Sequence, residues 1–212
     1  FWAEAWQAIW LEDGGMLDQV GEAGFDGVYL DWVEAYSDEN VVEAAQDEGV
    51  NPIYAMIEFV SFISENIKDE CDDCIVIAQN AAELVEYAEY AATIDGLAQE
   101  QVWFDGGADN EPEGDCPLPR TDVDIDSDVY YDSLSPKCQR QFDEFPESTL
   151  HVSSEEYLFF LNIAKEKGIP VFTVDYALIP ENIAWTYAIS REHGFIPFVG
   201  NRALDKFIAP VP

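Results

Sequence analysis

Four places in this 212-residue sequence end an apolar run in groups capable of acid/base or hydrogen-bonding chemistry. The first is Gly27-Val28-Tyr29-Leu30-Asp31-Trp32, launched by the turn signal Asp26-Gly27 and followed by Glu34. Cys74-Ile75-Val76-Ile77-Ala78 ends at Gln79-Asn80, and residues 93–98 end at Gln99-Glu100-Gln101. The fourth run, residues 170–174, ends at Asp175-Tyr176. Short apolar runs of this kind read as buried parallel strands, whose carboxyl ends carry functional groups to the rim of a sheet. Asp31 and Glu100 are therefore candidate catalytic carboxylates. An Asp after a strand also serves to cap a helix or turn the chain, and a loop Glu is ordinarily solvated. The apolar Val102-Trp103-Phe104 directly after Glu100 weighs against plain solvation. Two carboxyls with amide and phenol donors suit glycoside hydrolysis, in which one attacks or activates water and the other protonates the departing oxygen. Trp32, Glu34, Gln79, Asn80, Gln101, Asp175 and Tyr176 are the candidate substrate contacts.

The elements that must position these groups follow from spacing. Residues 1–20 carry Trp2, Trp6, Ile9, Trp10, Met16, Leu17 and Val20 at helical intervals broken by Asp13-Gly14-Gly15, which predicts two short helices. The three tryptophans are either sugar-stacking platforms or, as expected here, core. A short helix is predicted at 39–48. A long amphipathic one opens at Pro52, with Ile53, Met56, Ile57, Val60, Ile63 and Ile67 on one face. Further helices are predicted at 81–92, 154–167 and 183–192, and a last strand at 195–199. Five strands alternating with helices predict an α/β fold with a parallel sheet. No glycine-rich phosphate loop follows any strand, which argues against a dinucleotide-binding fold. Both histidines, His151 and His193, lie at helix boundaries without a nucleophilic partner and are read as structural.

Residues 105–148 interrupt this rhythm and read as a solvated acidic insertion. Asp122, Asp124, Asp126 and Asp128 alternate there as in a calcium loop, but Ser127 and Ser133 stand where such a loop needs Gly and Glu. Bound calcium is the alternative, and no metal or cofactor is included in the expected site. The four cysteines are Cys71, Cys74, Cys116 and Cys138. Disulfides Cys71–Cys74 and Cys116–Cys138 fit an exported protein, with zinc ligation or four reduced thiols as alternatives.

The chain carries 44 Asp and Glu against 9 Lys and Arg, a net charge of -35 spread along its length. Phosphate-binding basic patches are lacking, so nucleic acid is not an expected partner. Such a surface repels itself over about 30 Å at 0.01 M salt but only about 3 Å at 1 M, which predicts a salt-requiring protein. A content of 48% hydrophobic residues supports a sizeable core, and no run is long enough to span a bilayer.

Together the stretches Gly24–Asp31, Met56-Ile57-Glu58-Phe59-Val60, Gln79-Asn80 and Ile94–Gln101 resemble glycoside hydrolase family 114, the endo-α-1,4-polygalactosaminidases, and most closely its extracellular bacterial and archaeal branch. The resemblance implies a (β/α)8 TIM-barrel type of fold, with Asp31 and Glu100 matching the family's two catalytic carboxylates. It implies a single glycosidase-like domain over 1–212, extracellular or cell-surface, acting on an α-linked amino-sugar polysaccharide. Phe1-Trp2 would fall near the end of the third barrel strand, so the first three strands and any signal segment are expected outside this sequence. Trp32 and Glu34 depart from the family, which has Asn after the first catalytic Asp and a further Asp beyond it. A non-catalytic carbohydrate-binding or cell-surface module is the competing reading. Oligomeric state is left open.

Overall fold

The computed structural model describes residues 1–106, 115–206 and 208, so part of the expected insertion, 107–114, and the end of the expected domain lie outside the described residues. The main sheet has five strands in the order β1 (Gly27–Leu30), β2 (Ile75–Gln79), β3 (Gly96–Glu100), β6 (Val171–Tyr176) and β7 (Ile196–Gly200). A short antiparallel pair, β4 (Phe104–Asp105) and β5 (Cys116–Pro117), forms a separate two-stranded sheet, with β4 packed against β6. Two compact units divide the chain: Phe1–Leu97 with Glu166–Ile169, and Ala98–Lys165 with Pro170–Pro212.

In the first unit β1 and β2 pair in parallel, Gly27 opposite Ile75 and Leu30 opposite Ala78. Gly27 is required there: its φ is +150°, and a Cβ would lie 2.1 Å from the Ile75 carbonyl oxygen. The helices are α1 (Glu4–Leu11), α2 (Met16–Glu22), α3 (Glu39–Glu48), α4 (Pro52–Glu70) and α5 (Ala88–Thr93). The Asn51 side chain accepts from the Ile53 and Tyr54 N–H groups to start α4, and Pro52 supplies its first turn. Met56, Ile57, Val60, Ile63 and Ile67 are buried along α4, as the apolar spacing predicts, and α4 packs against α1, α2, α3, α5 and β2. Burial of each such side chain stabilises by ~1.5–3 kcal/mol. The helix expected at 81–92 is instead a 3-10 turn over Ala82–Glu86 and then α5. The break falls at Tyr87, whose backbone is extended and N-caps α5.

In the second unit β6 and β7 pair in parallel, and α10 (Pro180–Glu192) packs on β7. Residues 115–151, which include the part of the expected acidic insertion beyond 114, are pinned by the expected Cys116–Cys138 bridge. They fold into α6 (Asp122–Ile125), α7 (Asp128–Ser133) and α8 (Pro136–Glu144) around a buried cluster of Cys116, Tyr130, Leu134, Cys138 and Leu150. The apolar positions are too sparse for a helical stripe, and the disulfide supplies part of the core. Both expected disulfides are present, with Cα atoms 5.2 Å apart for Cys71–Cys74 and 5.4 Å for Cys116–Cys138, so these thiols are not zinc ligands. The alternating aspartates serve helix termini: Asp124 accepts from the Thr121 N–H and hydroxyl, and Asp122 accepts from Ser153. Among the described residues no group of three or more His, Cys, Asp or Glu converges as a metal site, and no helix is long and apolar enough to cross a membrane. α9 (Ser154–Glu166) completes the helices.

Candidate functional site

Each predicted polar group stands where a strand ends, and the chain leaves three of these strands through non-glycine residues in the left-handed region. Trp32 (φ 61°) follows Asp31, Asn80 and Ala81 (φ 63° and 52°) follow Gln79, and Gln101 (φ 56°) follows Glu100. Such conformations cost ~1–3 kcal/mol each and persist where the surroundings hold them, commonly at functional sites.

In the first unit Asp31 is exposed just beyond β1. Its Oδ1 accepts from the Trp32 N–H at 2.9 Å and from the Gln79 side-chain amide at 3.1 Å. Gln79, buried at the end of β2, thereby fixes the carboxylate from the neighbouring strand. Asn80 donates to Glu34 Oε1 at 2.9 Å, and Tyr36 donates to Glu83 Oε1. Burial, followed by the hydrogen bond to Glu83, raises the Tyr36 pKa, so its hydroxyl stays a donor. Tyr90 is fully buried close by, and its pKa is raised first by burial and then by the charges of Glu83 and Glu34. The pattern of apolar runs did not reveal Tyr36, Glu83 and Tyr90, because they lie on 3-10 and helical segments with no signal of their own. Trp32 is 65% exposed beside Asp31, a flat apolar face open to solvent. Trp6 and Trp10 are not in the closed core: with Phe25, Val28 and Phe59 they line an apolar cleft of about 630 Å³ that also reaches Asp31 and Trp32.

In the second unit Glu100 is the last residue of β3, its side chain 12% exposed. Tyr176, at the end of β6, donates to Glu100 Oε1. Arg202 Nη1 donates to the Tyr176 hydroxyl at 3.0 Å and pairs with Glu100 Oε1 at 3.5 Å, while its guanidinium stands 5.0 Å from the centre of the Tyr176 ring. Two donors thus orient the carboxylate. Arg202 escaped the sequence reading because it follows the last strand inside an unremarkable turn. Gly106 makes room for the set: a Cβ there would lie 2.7 Å from the Tyr176 ring and 2.8 Å from Arg202 Cδ.

Asp175 takes a different place. It is completely buried, and its Oδ1 accepts from the Trp103 and Phe104 N–H groups at 2.7 and 3.1 Å. Burial raises its pKa to about 7, against the opposing pull of the Trp103, Phe104 and Val102 N–H groups. Asp175 thus clamps the turn that follows Gln101 and has no exposed surface with which to touch a ligand. The two histidines stack on aromatic rings, His151 on Phe142 and His193 between Trp103 and Phe195.

No protein-family model matches this sequence. An uncharacterized protein of Deinococcus radiodurans is 29% identical over 212 residues, all of this chain and 53% of that protein. Uncharacterized proteins of Thermotoga maritima and Methanocaldococcus jannaschii are 28% and 32% identical over 110 residues, half of this chain and under a third of theirs. The chain therefore spans about half the length, or less, of the curated relatives it matches. Among solved structures, the glycoside hydrolase domain of PelA from Pseudomonas aeruginosa matches with a TM-score of 0.59 and 18% identity, over 99% of this chain and 66% of that one. The fold is accordingly an α/β fold similar to that of the PelA domain.

Proposed function

We propose that this chain is part of a glycoside hydrolase related to family 114, that residues 1–212 contribute to one (β/α)8 barrel domain, and that Asp31 and Glu100 are its catalytic pair. One observation carries the proposal: in a fold like that of a glycoside hydrolase domain, each carboxylate stands at the carboxyl end of a strand and is oriented by a side-chain donor from another strand, Gln79 for Asp31 and Tyr176 for Glu100. The disulfides fit an extracellular or cell-surface location.

In the proposed reaction Asp31 attacks the anomeric carbon while Glu100 passes its proton to the departing glycosidic oxygen. Water then gives a proton to the Glu100 carboxylate and its oxygen to the anomeric carbon, releasing Asp31. This retaining course calls for carboxyls about 5–5.5 Å apart; with Asp31 as a base toward water the separation is about 6.5–9.5 Å and the product is inverted. The substrate class we infer is an α-linked galactosamine-type polysaccharide, which is cationic when deacetylated and complements a chain of net charge -35. Trp32 offers a stacking face, and Glu34, Gln79, Asn80 and Gln101 offer hydrogen bonds to such a glycan.

The test is release of oligosaccharides from partly deacetylated α-1,4-galactosamine polymer in molar salt, followed by mass spectrometry. The full-length protein of which this chain is part is expected to cleave, and in it Asp31→Asn and Glu100→Gln are each expected to lose at least about 10³-fold in kcat while melting like the parent. Cleavage by either variant at the parental rate defeats the assignment of that residue. Binding of the polymer without bond cleavage by the parent points to the carbohydrate-binding module instead.

A further inference from the structure

A second cavity lies within the second unit, about 250 Å³ in volume, and Arg202 is part of its lining. One side is the left-handed turn at Gln101, whose N–H donates to the Val174 carbonyl at 2.8 Å. The facing side is built by the end of α8 and the turn after it: Gln141, Phe145, Glu147 and Thr149. Asp105 ties this wall in place, its Oδ2 accepting from the Ser148 and Thr149 hydroxyls at 2.8 Å each while its own side chain is buried. The cavity is smaller than the ~300–1,000 Å³ typical of drug-sized ligands, which leaves room for a single sugar unit. Its chemistry also fits one. Phe145 is 43% exposed, an aromatic face for the apolar side of a pyranose, and the Gln101 and Gln141 amides both donate and accept toward ring hydroxyls.

We infer that this cavity is the subsite for the sugar on the leaving-group side of the cleaved bond, and that the segment 115–151, read from sequence as a mere acidic insertion, is there to build it. The assignment rests on the hydrolase reading above. It follows from Arg202, which lines the cavity and also reaches Glu100 Oε1 and the Tyr176 hydroxyl, so the cavity adjoins the group proposed to protonate the departing oxygen. A sugar bound there would hold its glycosidic oxygen toward that group, and Arg202 is a positioning residue acting through Glu100 and Tyr176.

Gln141→Ala and Phe145→Ala test this separately, with two substrates: an α-1,4-linked galactosamine tetrasaccharide, which fills a leaving-group subsite, and α-galactosaminyl fluoride, whose fluoride leaving group does not. The ratio of kcat/KM for the tetrasaccharide to that for the glycosyl fluoride is expected to fall about tenfold in each variant, the size of one lost sugar contact. Thermal melting identifies a variant that fails to fold, in which case the other one decides. Ratios equal to the parent's in an active protein overturn the subsite and leave the hydrolase standing. A parent that hydrolyses neither substrate overturns both.

Discussion

Replacing Asp175 by asparagine isolates one buried carboxyl whose titration the fold displaces far from normal. Its pKa rises from the usual 3.8 to about 7, because burial disfavours the anion more than three backbone N–H groups favour it. With the folded value above the unfolded one, the native state keeps a proton that the unfolded chain has released between about pH 4 and pH 7. The contribution of Asp175 to stability is therefore greatest below about pH 4 and declines as pH rises, by about 1.4 kcal/mol per pH unit, until it levels above pH 7. The three-unit window gives about 4 kcal/mol in total. Asparagine has no proton to exchange. Its Oδ1 still accepts from Trp103 and Phe104, and its NH₂ replaces Oδ2, a buried oxygen without a hydrogen-bond partner among the described residues. An unsatisfied donor there costs about 1–3 kcal/mol, equally at every pH. The variant is thus expected to be less stable than the parent at pH 4 and more stable at pH 8, with the difference between them changing by about 4 kcal/mol. Urea unfolding followed by tryptophan fluorescence measures it, in molar KCl so that the remaining carboxylates, which titrate in overlapping range, repel one another weakly. Parallel stability curves for the two proteins between pH 4 and 8 would refute the displaced titration.

Three further outcomes are expected. Gly106→Ala places a methyl group 2.7 Å from the Tyr176 ring, so it should cost ~1–3 kcal/mol and lower turnover beyond the loss of fold, by disturbing the donors on Glu100; unchanged melting and kcat would count against that packing. Thermal midpoints should rise from 0.01 M to 1 M KCl as the net charge of -35 is screened, and a flat series would remove self-repulsion as a factor. Converting Cys116 and Cys138 to serine, 22 positions apart, should cost about 3 kcal/mol against about 2 kcal/mol for Cys71 and Cys74, whose separation is 3; equal losses in denaturant titrations would contradict the chain-entropy account.

Much of the scaffold was legible locally. The strand at Gly27–Leu30 was marked by Asp26-Gly27 before it and Asp31 after it, and α4 by Asn51-Pro52 and an apolar face repeating every three or four residues. These signals work because a strand or an amphipathic helix exposes its burial pattern in its own sequence. Where an element depends on distant partners the pattern fails. The helix expected at 81–92 breaks at Tyr87, and residues 115–151 fold around a disulfide and three further buried residues too scattered to form a stripe.

The proposed site divides in the same way. The strand-end positions of Asp31 and Glu100 could be read from chain order alone, since the end of an apolar run marks where a buried strand meets solvent. Tertiary structure alone decided that Gln79 grips Asp31, that Tyr176 and Arg202 grip Glu100, and that Gly106 leaves them room. It also turned Asp175 inward, although its sequence context matches that of Asp31. The physical reason is that exposure and hydrogen-bond partners belong to the whole packing around a residue, whereas periodicity and turn chemistry are carried by its immediate neighbours.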